Sequence, residues 1–71
     1  MKKQINIEGM SCAHCVKHVE NALMEIEGTN KVIVDLKGNN AVIDLINNVS
    51  DEQLKEVIQE AGYDVTSIVN L

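Results

Sequence analysis

The order of structural signals along this 71-residue chain predicts an α+β fold: a four-stranded antiparallel sheet with two helices on one face, built as a single domain over residues 1–71. Three observations predict it. Short stretches of alternating or continuous apolar residues mark four strands, and two longer stretches carry apolar residues at helical spacing. Each helical stretch is closed by a glycine, the usual stop signal. The signals follow one another as strand, helix, strand, strand, helix, strand.

Gln4-Ile5-Asn6-Ile7-Glu8 alternates strictly and reads as a half-buried strand that ends at Gly9. From Cys15 the apolar residues fall at Val16, Val19, Leu23 and Ile26, a helical stripe widened by Ala22 and stopped at Gly28. Lys31 to Leu36 is the second strand, with Val32, Val34 and Leu36 inward. Gly38-Asn39-Asn40 turns the chain into a third strand, Ala41 to Ile46, that pairs back as a hairpin. Ser50-Asp51-Glu52-Gln53 has the pattern of a capping box, with Ser50 at the cap and Gln53 three residues on. Leu54, Val57, Ile58 and Ala61 form the apolar face of the second helix, and Glu52, Glu56 and Glu60 a solvated acidic stripe. Gly62 ends that helix, and Asp64 to Val69 is the last strand. This order is that of the ferredoxin-like split βαβ arrangement.

Composition excludes several functions. Tyr63 is the only aromatic residue, and 6 Lys+Arg stand against 11 Asp+Glu. A chain without aromatic platforms or a basic face does not suit nucleic acid. No apolar run resembles a secretory signal or reaches the length needed to span a bilayer, so no membrane insertion and a cytoplasmic location are expected. In a reducing compartment, a close pair of cysteines signals metal binding or redox chemistry.

That pair is Cys12 and Cys15, the only cysteines, in the stretch Gly9-Met10-Ser11-Cys12-Ala13-His14-Cys15 between strand and helix. At this spacing two thiols close on one soft metal ion or on each other. Cys12 is expected in the loop and Cys15 in the first helical turn, where unpaired N–H groups and the positive end of the dipole favour a thiolate. The helix carries its charges the wrong way round for stability. Glu25 and Glu27 crowd its last turn and Lys17 sits near its first, each costing about 0.3–1 kcal/mol. Such a departure leaves the positive end free for sulfur. Two inert packed cysteines would not be placed in a loop after a glycine, and a disulfide across two residues would constrain little chain. A closed zinc site needs four ligands. His18 offers a third at most, and both His14 and His18 are expected to face solvent. A thiol–disulfide oxidoreductase of the thioredoxin pattern is a longer α/β chain with Trp and Pro at its site, and this sequence contains neither residue. The pair reads as a metal clip and the protein as a non-enzyme.

Gly9-Met10-Ser11-Cys12-Ala13-His14-Cys15, after a strand and before a helix, closely resembles the heavy-metal-associated domain, the family of small copper chaperones and of the N-terminal domains of copper-transporting P-type ATPases. Ala61-Gly62-Tyr63-Asp64-Val65 is similar to the family's second marker, and the resemblance covers essentially the whole chain. It implies Cu(I) carried between Cys12 and Cys15, Met10 as a buried anchor under the loop, and Tyr63 beside the site. It also implies a copper-transporting P-type ATPase metal-binding domain as partner. Two thiolates without a further strong ligand suit Cu(I) better than Zn(II). Ser11 stands where zinc and cadmium relatives often carry an acid, and the signal peptide of the mercury-binding relatives is missing. An excised ATPase domain, a copper store and a metal-sensing regulator are the other readings; the chain is expected as a monomer, with a dimer on copper loading as the alternative. The chain departs from the family pattern at Gly28-Thr29-Asn30 and at Ile46. Ile33, Val42 and Ile46 are expected to form a small apolar patch on the open sheet face.

Overall fold

A computed structural model describes all residues, 1–71. Its elements run β1 (Lys2–Glu8), α1 (Ala13–Met24), β2 (Thr29–Asp35), β3 (Asn40–Leu45), α2 (Asp51–Glu60) and β4 (Asp64–Asn70). The sheet order is β2-β3-β1-β4 with every neighbouring pair antiparallel. This is the predicted ferredoxin-like βαββαβ arrangement.

The strand period of two decides which residues meet the helices. Ile5 and Ile7 of β1 and Ala41, Ile43 and Leu45 of β3 are buried in one cluster with Val19 and Leu23 of α1 and Leu54 and Ile58 of α2. Val32, Val34, Val65 and Ile68 from the two edge strands pack at its margin. The opposite face of the sheet is open. There Ile33 lies across from Val42 and is exposed, while Ile46 is exposed one residue beyond β3.

The same parity explains a residue the sequence reading passed over. Lys3 shares the inward face with Ile5 and Ile7 and is buried, because β1 begins at Lys2 rather than Gln4. Its ammonium donates to the Val49 carbonyl (3.2 Å) and to Asp51 Oδ1 (2.6 Å). A buried cation needs such partners, and these tie β1 to the start of α2.

Element ends also shift. α1 starts at Ala13, two residues before the expected Cys15, and stops at Met24, so Ile26 is buried from the turn after the helix and not from its stripe. Thr29 Oγ1 donates to the Leu23 carbonyl (2.9 Å), capping the last turn, and Asn30 Nδ2 donates to Asp44 (3.2 Å). The polar Thr29-Asn30 step thus has local partners. Leu36 packs on the core from just beyond β2, and β4 extends one residue past Val69.

α2 begins and ends on recognisable signals. Ser50 Oγ accepts from the Gln53 N–H (3.2 Å), the forward half of the capping box. At the other end Gly62 has φ +98°, Gly62 N–H donates to Gln59 O (3.0 Å) and Tyr63 N–H to Ile58 O (3.1 Å). That pair of bonds is a Schellman motif, which needs a residue in the left-handed region at the glycine position. It aims Tyr63 back toward the loop that leaves β1.

Candidate metal site

The site forms where the exit of β1, the start of α1 and the turn after α2 come together. Gly9 turns the chain out of β1 with φ +102°, and a Cβ placed there would stand 3.4 Å from Tyr63 Cδ1. The backbone angle is what calls for glycine, since a Cβ would meet the Tyr63 ring at ordinary contact distance. Met10 is buried in the core cluster and anchors the loop from below. Ser11 and Cys12 remain exposed.

Cys12 is the N-cap of α1, in extended conformation, and its carbonyl accepts from the N–H groups of Cys15 (3.0 Å) and Val16 (3.3 Å). Its side chain makes no capping hydrogen bond, and no acidic residue occupies the first turn. The helix start is open to an electron-rich group from outside, but the acids expected in the last turn lie past it: Glu25 is the C-cap and Glu27 is beyond the helix. Cys15 lies three residues in, half-buried against the core, while Cys12 is exposed; both are free thiols. Their sulfurs stand 3.7 Å apart. The two cysteines singled out in the sequence are thus brought together, one exposed at the N-cap and one held within the helix.

Cys15 is an acidified thiol. Its pKa falls from 9.0 to about 6, chiefly through the Ser11 backbone N–H and then the Tyr63 hydroxyl, with Cys12 adding its side chain and backbone; partial burial works the other way. At neutral pH this favours the thiolate form of Cys15. The Tyr63 pKa rises in turn, because its O–H donates to Cys15, with burial and the charges of Cys15 and Cys12 contributing less. Ser11 Oγ approaches Cys15 Sγ at 4.0 Å. Sequence reasoning had noted Ser11 only as a non-acidic residue. Its position four before Cys15, at a helix entrance, is the signal that it would face that sulfur.

His14 and His18 are exposed on α1. No group of three or more His, Cys, Asp or Glu side chains is assembled anywhere in the chain, so the sulfur pair has no third protein ligand of those types beside it.

Comparison with known proteins agrees with this geometry. The heavy-metal-associated domain is matched over residues 4–64. The chain belongs to the heavy-metal-associated domain family. Among relatives, the copper chaperone CopZ of Staphylococcus haemolyticus (strain JCSC1435) is 48% identical over 66 residues, covering 92% of this chain and 97% of its own. Two solved heavy-metal-associated folds superpose with a TM-score of 0.87. One is a copper binding domain from HMA7, a P-type ATPase, 39% identical and covering 99% of this chain and 96% of its own. The other is a CopZ metallochaperone, 36% identical and covering 93% and 100%. For this heavy-metal-associated domain, no helix is long and apolar enough to cross a membrane.

Proposed function

We propose that this chain is a cytoplasmic Cu(I) metallochaperone that holds its cargo between Cys12 and Cys15 and passes it to a copper-transporting P-type ATPase by thiolate exchange. The observation that carries the reading is the 3.7 Å approach of two free sulfurs at an uncapped helix start, one of them acidified. Thiolates select soft ions, and two sulfurs without nitrogen or oxygen ligands suit Cu(I), whereas Zn(II) prefers four ligands. Metal–sulfur bonds of about 2.3 Å in a straight S–metal–S unit would need sulfurs near 4.6 Å apart. Cys12, exposed and uncapped, is the side chain free to move outward by that difference.

The same placement explains how a tightly held ion leaves. An incoming thiolate adds to the exposed metal before Cys12 detaches, while Cys15, fixed by the helix, lets go last. Exposed Glu52, Glu56 and Glu60 and a net charge of −5 favour a partner with a basic face, through encounter rate more than affinity. Two such exposed sites facing each other would also share copper, so a dimer is expected on loading and a monomer without it. Carrier rather than oxidoreductase follows from a site that no proline or tryptophan shapes.

A chelator competition tests the binding. Wild-type protein should retain Cu(I) against a Cu(I) chelator that strips Cys12→Ser or Cys15→Ser, and an unaffected single variant would rule out two-sulfur coordination. Zn(II) should be retained less well. Stopped-flow mixing of copper-loaded protein with an apo acceptor domain tests delivery: the rate should rise with acceptor concentration and fall with salt. A rate equal to spontaneous dissociation would leave storage as the function. The HMA7 likeness supports a second reading, a metal-binding domain of a P-type ATPase, which would use the same site as acceptor.

A further inference from the structure

The strongest unassigned ligating side chains lie on α1 itself. Spacing sets both histidines toward solvent, and the structure agrees. Because the helix begins at Ala13, His14 and His18 both fall inside it, one turn apart and both exposed. Residues four apart on a helix have Cβ atoms about 5–6 Å from each other on the same face. Two imidazoles on that base converge on one ion with metal–nitrogen bonds of about 2.0–2.1 Å. Helical zinc sites use this His-x-x-x-His spacing. Lys17, between them in sequence, pairs with Glu20 one turn on (3.9 Å). No Asp, Glu or Cys completes a group of three with them, so water would fill the remaining positions and the site is open.

We infer that His14 and His18 form a second metal site, for borderline divalent cations such as Zn(II), Ni(II) and Cu(II), separate from the sulfur pair. Imidazole suits these ions and thiolate suits Cu(I). One helix thus presents two donor sets in its first two turns, nitrogen along its exposed face and sulfur at its tip. A divalent ion on the histidines would add positive charge next to the acidified Cys15 without using its sulfur. The inference stands apart from the Cu(I) reading, since the histidine pair persists when the cysteines are removed.

The test uses the full-length Cys12→Ser/Cys15→Ser double variant and Ni(II) alone as probe, with equilibrium dialysis and amide NMR. One Ni(II) per chain should bind, with paramagnetic broadening centred on residues 14–18. Adding His14→Ala or His18→Ala should weaken binding by about tenfold or more, as expected for losing one of two ligating nitrogens. Both histidines are exposed, and amide dispersion reports that each variant is folded. In copper-loaded wild-type protein, Ni(II) should bind without releasing Cu(I). No uptake by the double variant, uptake indifferent to both histidines, or broadening centred on the N-terminus or the acidic helix face would each overturn the site.

Discussion

The two helices of this small fold begin in opposite ways. α2 starts with Ser50, whose hydroxyl accepts from Gln53 N–H, and has Asp51 and Glu52 in its first turn. Lys3 further ties Asp51 and the Val49 carbonyl to β1. Each device satisfies a polar group or complements the positive end of the dipole. α1 has none of them: its N-cap is a cysteine without a side-chain hydrogen bond, and its first turn has no acid. The same sheet and core support both starts, so the contrast belongs to the local residues. It shows stability withheld at the end that carries the chemistry, where the unpaired N–H groups and positive potential act on Cys15 instead.

The comparison can be broken most severely at the sulfurs. Replacing either Cys12 or Cys15 by Ser should reduce Cu(I) retention by orders of magnitude in a chelator competition, while Ser50→Ala should leave it unchanged. Second in size is the packing both helices share. Leu54 is fully buried, and Leu54→Ala should cost about 2–5 kcal/mol, read as a lower midpoint in urea. Such a loss would unfold much of a domain this small.

Smaller effects sharpen the contrast. Ser50→Ala should destabilise by about 1 kcal/mol through loss of the cap. Cys12→Ser should act the other way on the metal-free protein: serine is a preferred N-cap, so chemical denaturation should show stability unchanged or raised by up to about 1 kcal/mol while copper binding collapses. A fall in stability instead would show that Cys12 serves the helix start better than serine does.

The last prediction concerns pH. The folded pKa of Cys15, about 6, lies below that of an unfolded thiol, so between those values the unfolded chain binds more protons and stability rises with pH. This contribution is fully present above the ordinary thiol pKa and is lost as pH falls through about 6. The rate of Cys15 alkylation in Cys12→Ser should inflect near the same pH, displaced somewhat upward by the missing Cys12 contribution. Tyr63→Phe should shift the inflection further upward, because the hydroxyl no longer donates to the thiolate. An inflection unchanged by Tyr63→Phe would remove Tyr63 from the site's electrostatics.

The sequence by itself determined the fold class, because period-two and helical apolar spacing are set residue by residue and the βαββαβ order leaves few ways to bury Ile5, Ile7, Val19, Leu23, Leu54 and Ile58 together. It also marked Cys12 and Cys15, since their short spacing at a loop-to-helix boundary brings them together whatever the rest of the chain does. Tertiary structure decided what depends on neighbours distant in sequence or on where an element starts. Lys3 became an interior cation only because β1 starts two residues earlier and Val49 and Asp51 arrive from the entrance to α2. Tyr63 reached Cys15 across 48 residues because the Schellman turn at Gly62 folds it back against Gly9. The acidity of Cys15 follows from that contact and from Ser11; the local spacing marks Ser11, whereas nothing near Cys15 in the sequence encodes the Tyr63 contact.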